Sequence, residues 1–266
     1  MLFNSFMQKV SIIIPAYNEE ERIGKTLEEY SKYFNSLNKN KTIDYEIIVV
    51  INGTTDNTEK VVIDYEKLNN KIKHLNFKKG GKGFAILEGF KYVSEKNKGL
   101  VGFVDADMAT PPEEFYKLVT SIGNYNGVIA SRGLRESEVK TSFSRKLTNR
   151  GFNLVVKLLL VLPFSDTQCG AKIFDHKAID FLITNMSFTQ WAFDIEMLYI
   201  LLKNNFKIKE IPTRWFDKQG SKINLAKVPI KMFLSVVRLR LMHSPLKFVV
   251  KLYDKMPEKL KVHHTI

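Results

Sequence analysis

Five short runs rich in β-branched residues occur in the first half of the chain, at Val10 to Ile14, Tyr45 to Ile51, Ile72 to Phe77, Leu100 to Val104 and Val128 to Ser131. Each stops at a polar or glycine-containing turn, and helical patterns fill the gaps. The alternation of such short runs with helical patterns is the signature of βαβ units around a mostly parallel sheet. The fold class predicted is therefore α/β, a mostly parallel sheet flanked by helices. At 266 residues the chain suits one large α/β domain with short appendages, or at most two small domains. After about Thr141 the pattern changes to an amphipathic helix over Phe143 to Leu162, a mixed region through Trp215, and basic-apolar helices thereafter.

In an open α/β sheet, ligands bind outside the carboxyl ends of the strands, so the turns after the runs carry the chemistry. The first, Pro15-Ala16-Tyr17-Asn18-Glu19-Glu20-Glu21, contains no glycine. That argues against a dinucleotide-binding turn, which needs glycine for close approach to a pyrophosphate. Tyr17 can stack on a base, while Asn18 and Glu21 fit a capping box for the next helix. The second turn, Lys78-Lys79-Gly80-Gly81-Lys82-Gly83, brings bare amides, lysines and a helix amino terminus together, a setting for an anion. It lacks the Walker spacing, and a solvated basic turn is the alternative.

The third turn is Asp105-Ala106-Asp107. Two carboxylates so spaced at a strand's end can hold one hard divalent cation that also bridges diphosphate oxygens. The following Thr110-Pro111-Pro112-Glu113 reads as a complete helix start, with Thr110 as the cap, which leaves both aspartates spare. The fourth region holds Ser131-Arg132-Gly133, Arg145, Arg150 and Asp166-Thr167-Gln168-Cys169-Gly170. Its arginines suit phosphate oxygens, although each reads equally as a surface charge.

A net charge of +13 points to an anionic partner: nucleic acid, a lipid surface or a phosphate-rich substrate. No nucleic-acid-binding motif is present and the paired aspartates would repel a phosphate backbone, so nucleic acid is not expected. The single cysteine, Cys169, excludes an internal disulfide and suits a reducing, cytosol-facing setting. Met1 to Lys9 lacks the pattern of a secretion signal. The longest apolar candidate, Gly151 to Phe164, is broken by Lys157 and stopped by Pro163, so no transmembrane helix is expected. The five histidines have no metal-ligand spacing.

Taken together, these residues resemble the family 2 glycosyltransferases, and among them the branch of the dolichyl-phosphate glucose and dolichol-phosphate mannose synthases. The resemblance spans about Val10 to Lys222. It rests on Ser11 to Glu20, Gly81-Lys82-Gly83, Asp105-Ala106-Asp107, Asp166 to Gly170, Trp191-Ala192-Phe193-Asp194-Ile195-Glu196 and Gly220-Ser221-Lys222. It implies a GT-A type fold over residues 1–222, and an inverting, metal-dependent hexosyltransferase using Mg2+ or Mn2+. The donor implied is UDP-glucose or GDP-mannose, glucose being favoured, and the acceptor a polyprenyl (dolichyl) phosphate. Transfer to a saccharide or other non-lipid acceptor is the alternative.

Carried onto this chain, the resemblance gives the nucleotide sugar to Pro15, Ala16, Tyr17, Glu19, Asn52, Lys82, Gly83, Asp105 and Ala106. The metal falls to Asp105 and Asp107, and the acceptor phosphate to Arg132, Arg145, Ser221 and Lys222. Asp105, Asp107, Arg132, Arg145 and Asp194 are the catalytic set. Asp194 or Glu196 would serve a hydroxyl acceptor as base, whereas beside a phosphate acceptor both would order the site; an ordinary acidic first turn is the plain alternative. One departure stands out. Family members usually place two aspartates, glycine and serine after the second strand, where this chain has Ile51-Asn52-Gly53-Thr54. Finally, Val228 to Met242 and the stretch from Pro245 mix apolar and basic residues. Within residues 223–266 they read as amphipathic helices on an anionic membrane surface, with Phe143 to Leu162 joining them, or as helices packed on the core. The membrane reading places the protein peripherally on a membrane's cytoplasmic side.

Overall fold

In a computed structural model the described residues are 7–96, 98–186, 192–217 and 228–254, with residues 143–145, 228–232, 251 and 254 described by their backbone alone. All five apolar runs are strands: β1 (Gln8–Ala16), β2 (Ile43–Asn52), β3 (Ile72–Phe77), β4 (Leu100–Phe103) and β5 (Gly127–Ser131). They alternate with helices α1 (Ile23–Lys39), α2 (Thr58–Leu68), α3 (Lys82–Ser94) and α4 (Pro112–Thr120). The second half adds β6 (Glu138–Lys140), α5 (Phe143–Leu160), β7 (Lys172–Phe174), α6 (His176–Asn185), α7 (Phe193–Lys203), β8 (Ile208–Pro212), β9 (Arg214–Phe216), α8 (Val228–Met242) and α9 (Lys247–Asp254).

Seven strands form one sheet in the order β3-β2-β1-β4-β7-β5-β8, in which every pairing is parallel except the two made by β7. The short β7 belongs to the region that reads only as mixed in the sequence. Strands β6 and β9 pair separately. Successive side chains of β1 explain its unbroken apolar run. Ile13 points into a core with α3, α6, α7 and part of α5, whereas Ile12 and Ile14 point into a second core with α1, α2 and α4. All three are fully buried. Helices on both faces thus enforce the continuous hydrophobicity that an all-parallel segment requires.

The chain winds from β1 outward to β3 and then returns through α3 to β4, on the other side of β1. This reversal opens a crevice beyond the carboxyl ends of β1 and β4, the place where such sheets bind ligands. Helix α5 stops at Leu160, two residues short of the sequence-based boundary, and Val161 takes a positive φ of 55°. Helix α8 packs against α5 and sends Val236 and Leu239 into the same core as α3 and α7. The core reading therefore holds for that face of α8, while α9 turns Phe248 and Leu252 outward. No helix among the described residues is long and apolar enough to cross a membrane.

Candidate active site

The predicted turns meet at the carboxyl edge of β1, β2 and β4. Pro15 and Ala16 end β1 in buried positions, and the backbone then lifts Tyr17 into solvent, where its ring is 54% exposed and free to stack. Asn18 adopts a left-handed φ of 52°. Its Oδ1 accepts from the Thr55 amide at 2.9 Å, and the Glu19 amide donates to Thr58 Oγ1 at 2.7 Å. These bonds join the first turn to the loop after β2, so the expected Asn18–Glu21 capping box does not form; α1 begins at Ile23 with no side-chain cap. Glu19 is instead clasped by Arg22 through two bonds of 2.7 and 2.6 Å. Burial and the nearby charges of Asp107 and Asp105 outweigh that pairing and hold its carboxyl above the usual range.

Asn52 has a different place from the one expected. It is 2% exposed, donates Nδ2 to the Ala16 carbonyl at 2.9 Å and accepts from the Gly81 amide on Oδ1 at 2.9 Å. Both ends of its amide are committed, so it clamps the first turn to the anion turn rather than reading a base. The neutral amide that departs from the family pattern makes both bonds at once, whereas a carboxylate could not donate to Ala16. Gly81 precedes α3 at φ 126°, a conformation closed to residues with a Cβ, and leaves Lys82 as the first helical residue. Gly83 has a packing role: a Cβ there would lie 2.7 Å from the ring of Phe193. The amino ends of α3 and α7 are thereby brought together.

Lys82 crosses this junction to place Nζ 2.6 Å from Asp105 Oδ1. Burial works against its charge, but Asp105, Asp194 and Asp107 more than offset that and raise its pKa. Asp105 and Asp107 follow β4 in a loop supported from beneath by α1, whose Thr26 hydroxyl donates to the Ala106 carbonyl at 2.7 Å. Asp107 Oδ1 accepts from the Ala109 amide at 3.0 Å, and burial together with the charge of Asp105 raises its pKa. Thr110, the expected helix cap, is buried with its carbonyl bonded to Tyr30; Pro111 holds the cap position of α4 without a side-chain bond. The Asp107 bond thus caps its own loop and leaves its second oxygen uncommitted by any described hydrogen bond.

The segment Asp166 to Gly170 closes the site from β7. Arg132 donates to both Asp166 oxygens, from Nε at 2.6 Å and from its terminal nitrogen at 3.0 Å. Burial alone would raise the Asp166 pKa, but Arg132 overrides it and holds the carboxyl down to about 2. The Arg132 guanidinium also lies 5.1 Å from the Trp215 ring. It is therefore an anchored cation, in contrast to the free phosphate-seeking arginine that its position after β5 suggests. Glu210 accepts from the Ser165 and Asp166 amides at 2.8 and 2.9 Å, and Asn153 from Thr167. Gly170 lies against Asp105.

Lys172 is the component that sequence reasoning missed. It is fully buried, and its Nζ donates to the Cys169 carbonyl and to Asp194 Oδ1, both at 2.7 Å. A lysine in a three-residue apolar strand was its only local signal. Asp194, in the first turn of α7, is consequently paired rather than free, and Glu196 is fully buried. The side chain of Arg145, together with Ser221 and Lys222, lies outside the described residues.

Asp105 and Asp107 fit a hard divalent cation: two like-charged oxygen donors, one of them buried enough to feel the other. No cluster of three possible ligands exists among the described residues. A two-carboxylate site of this kind suits Mg2+ or Mn2+, which take remaining ligands from water and substrate phosphates.

The family model described as glycosyl transferase family 2 matches residues 11–182. A dolichyl-phosphate beta-glucosyltransferase of Trichomonas vaginalis is 35% identical over 248 residues, covering 90% of this chain and 75% of the relative. The Homo sapiens dolichyl-phosphate beta-glucosyltransferase is 33% identical over 235 residues, covering 84% and 72%. Among solved structures, glucosyl-3-phosphoglycerate synthase from Mycobacterium tuberculosis, in complex with Mn2+, UDP and glucosyl-3-phosphoglycerate, superposes with a TM-score of 0.63 at 17% identity. That match covers 88% of this chain and 79% of the other. The architecture is the GT-A fold that the resemblance implied.

Proposed function

The chain belongs to glycosyl transferase family 2, and from that premise we propose that it moves glucose, by inverting transfer, from a nucleotide diphosphate donor to a polyprenyl phosphate such as dolichyl phosphate. The observation that carries the reading is the meeting of Asp105, Asp107 and Lys82 at the end of β4, a cluster suited to a diphosphate leaving group. The named activity of the relatives at 33–35% identity supports the sugar and the acceptor.

In this reading the exposed Tyr17 ring stacks on the base, and the clamp between Ala16, Asn52 and Gly81 fixes the anion turn relative to it. Asp105 and Asp107 would hold Mg2+ or Mn2+, which when bound would supply Lewis-acid neutralisation of a diphosphate's charge. Lys82 adds a mobile positive charge at the same place. Displacement at the anomeric carbon then needs a nucleophile. Asp194 is paired with the buried Lys172 and is poorly suited to take a proton from a sugar hydroxyl. A phosphate monoester, substantially ionised near neutral pH, needs no such base. This favours the lipid phosphate over a saccharide acceptor. Arg132, Arg145, Ser221 and Lys222 form the proposed acceptor side of the site, with Arg132 held in place by Asp166.

The lipid is reached from the surface. Leu147, Leu154, Leu158 and Val161 are exposed at and just beyond α5 among the exposed basic residues Lys146, Arg150 and Lys157, and α9 exposes Phe248 and Leu252. Such a face suits the headgroup region of an anionic bilayer, and in this reading the protein is peripheral on the cytoplasmic side, with residues 223–266 as its interfacial part.

The test is transfer of radiolabel from UDP-glucose and from GDP-mannose, with Mg2+ or Mn2+, to a short polyprenyl phosphate in detergent, for the wild type and Asp107→Ala. Metal-dependent lipid product from UDP-glucose, lost in the variant, is expected. Transfer only to added saccharides would overturn the lipid acceptor.

A further inference from the structure

The two oxygens of Asp105 have different surroundings. Oδ2 is covered by the backbone at Gly170, where even a Cβ would fall 1.9 Å away. Oδ1 lies farther from that position, at 2.8 Å, and Lys82 Nζ sits on it at 2.6 Å. The ammonium therefore occupies the approach that a cation bound to Asp105 would use. It is also able to leave. The Lys82 side chain is 39% exposed on a flexible four-carbon stem, and Asp194, held by the buried Lys172, provides a second negative group at the same junction.

We propose that Lys82 competes with the divalent cation for Asp105, so that metal binds weakly to the protein alone and tightly only with a nucleoside diphosphate, whose charge draws the ammonium away. Lys82 is then more than a phosphate ligand. It imposes order on binding, because one of the two carboxylates is already paired with an internal cation and a metal without donor gains less by displacing it. The inference rests on the assignment of Asp105 and Asp107 as the metal-holding pair.

The test is Mn2+ binding followed by the electron paramagnetic resonance of free Mn2+, with and without UDP and with no sugar transfer involved. Lys82→Met should bind Mn2+ without UDP at least about tenfold more tightly than the wild type. The tightening produced by UDP should shrink in the variant by a similar factor. Lys82→Gln serves as a second neutral variant should the first fold poorly, as judged by circular dichroism. Lys79→Met removes the same charge from the same turn without touching Asp105, its ammonium lying 4.9 Å from the Phe84 ring, and should leave Mn2+ affinity near wild type. Unchanged or weaker Mn2+ binding in both neutral Lys82 variants would overturn the competition, as would an equal gain in Lys79→Met, since a general field would then explain it. Wild-type Mn2+ binding with UDP in Asp105→Asn would instead remove the metal assignment, and the inference with it.

Discussion

Gly170 faces the carboxylate of Asp105 so closely that an added Cβ would lie 1.9 Å from Oδ2 and 2.4 Å from Cγ. The loop carrying Gly170 is tied down by Arg132 at Asp166, by Glu210 at two amides and by Lys172 at the Cys169 carbonyl. Asp105 must therefore yield. Gly170→Ala is expected to lower kcat on the order of 10²-fold, the usual consequence of a misplacement near 1 Å. Its cost in stability should be about 1–3 kcal/mol, as for other overpacked sites. Steady-state kinetics beside a denaturant titration separates the two, and a wild-type kcat would show that Asp105 is not held by this contact.

The Arg132–Asp166 pair makes a prediction about stability. Asp166 is buried at 2% exposure and Arg132 largely so at 13%, and Asp166 also accepts the Arg132 and Gln168 amides. Asp166→Asn leaves a buried guanidinium without its counter-charge, a change that costs about 3–5 kcal/mol. The pH dependence follows from the depressed pKa. An unfolded aspartate titrates near about 3.9, whereas Asp166 titrates at about 2 in the folded protein. Its contribution is complete above the unfolded value and is lost as pH falls through the folded one. Urea unfolding between pH 5 and 2.5 should therefore show a falling difference between wild type and variant. A constant difference would contradict the pairing.

Much of this was legible in the chain because the signals were local. Ile12-Ile13-Ile14 can be buried on both faces only in a covered sheet, and Asp105 and Asp107 announce themselves at a strand end. What escaped is what depends on distant partners. Lys172 reads as a surface residue until Asp194 and the Cys169 carbonyl close over it. Arg132 reads as free because Asp166 lies 34 residues away. Local capping rules also misplaced two helix starts: the Asn18 side chain accepts from Thr55 across the site, and at Thr110 the cap position falls one residue later, on Pro111.

Asn52→Asp tests the clamp between the two turns. A carboxylate can still accept from Gly81 but cannot donate to Ala16, and it brings a charge into a position only 2% exposed. A loss of about 1–3 kcal/mol is expected from the unsatisfied buried group. The anion turn loses its fixed distance from Tyr17, so KM for the donor should rise more than kcat falls. If Asn52 bound the base directly, the variant would change preference between uridine and guanosine donors at unchanged stability, which competition assays would reveal.

The outer face of the helical layer sets the last prediction. Leu147, Leu154, Leu158 and Val161 are 63%, 57%, 71% and 80% exposed and recur at spacings of seven, four and three residues, one stripe of α5 and its end. Because α8 packs on both α5 and α9 while its Val236 and Leu239 enter the core, the stripe and the exposed Phe248 and Leu252 belong to one layer tied to the sheet. Three exposed leucines on one face of α5, continued by Val161 just past its end, are more than a soluble surface ordinarily carries, and they mark an interaction site. In Leu154→Glu with Leu158→Glu, stability should stay within about 0.5 kcal/mol, since neither side chain supports the core. Burial of one leucine is worth about 1.5–3 kcal/mol, so binding to vesicles containing phosphatidylserine should fall at least tenfold. Activity towards a short, water-soluble polyprenyl phosphate should persist, because the stripe lies outside the groups proposed to hold donor and metal. Added salt should weaken wild-type binding through Lys146, Arg150 and Lys157 without abolishing it. Vesicle binding that survives the double substitution would assign this stripe to a protein partner and leave the membrane contact to α9.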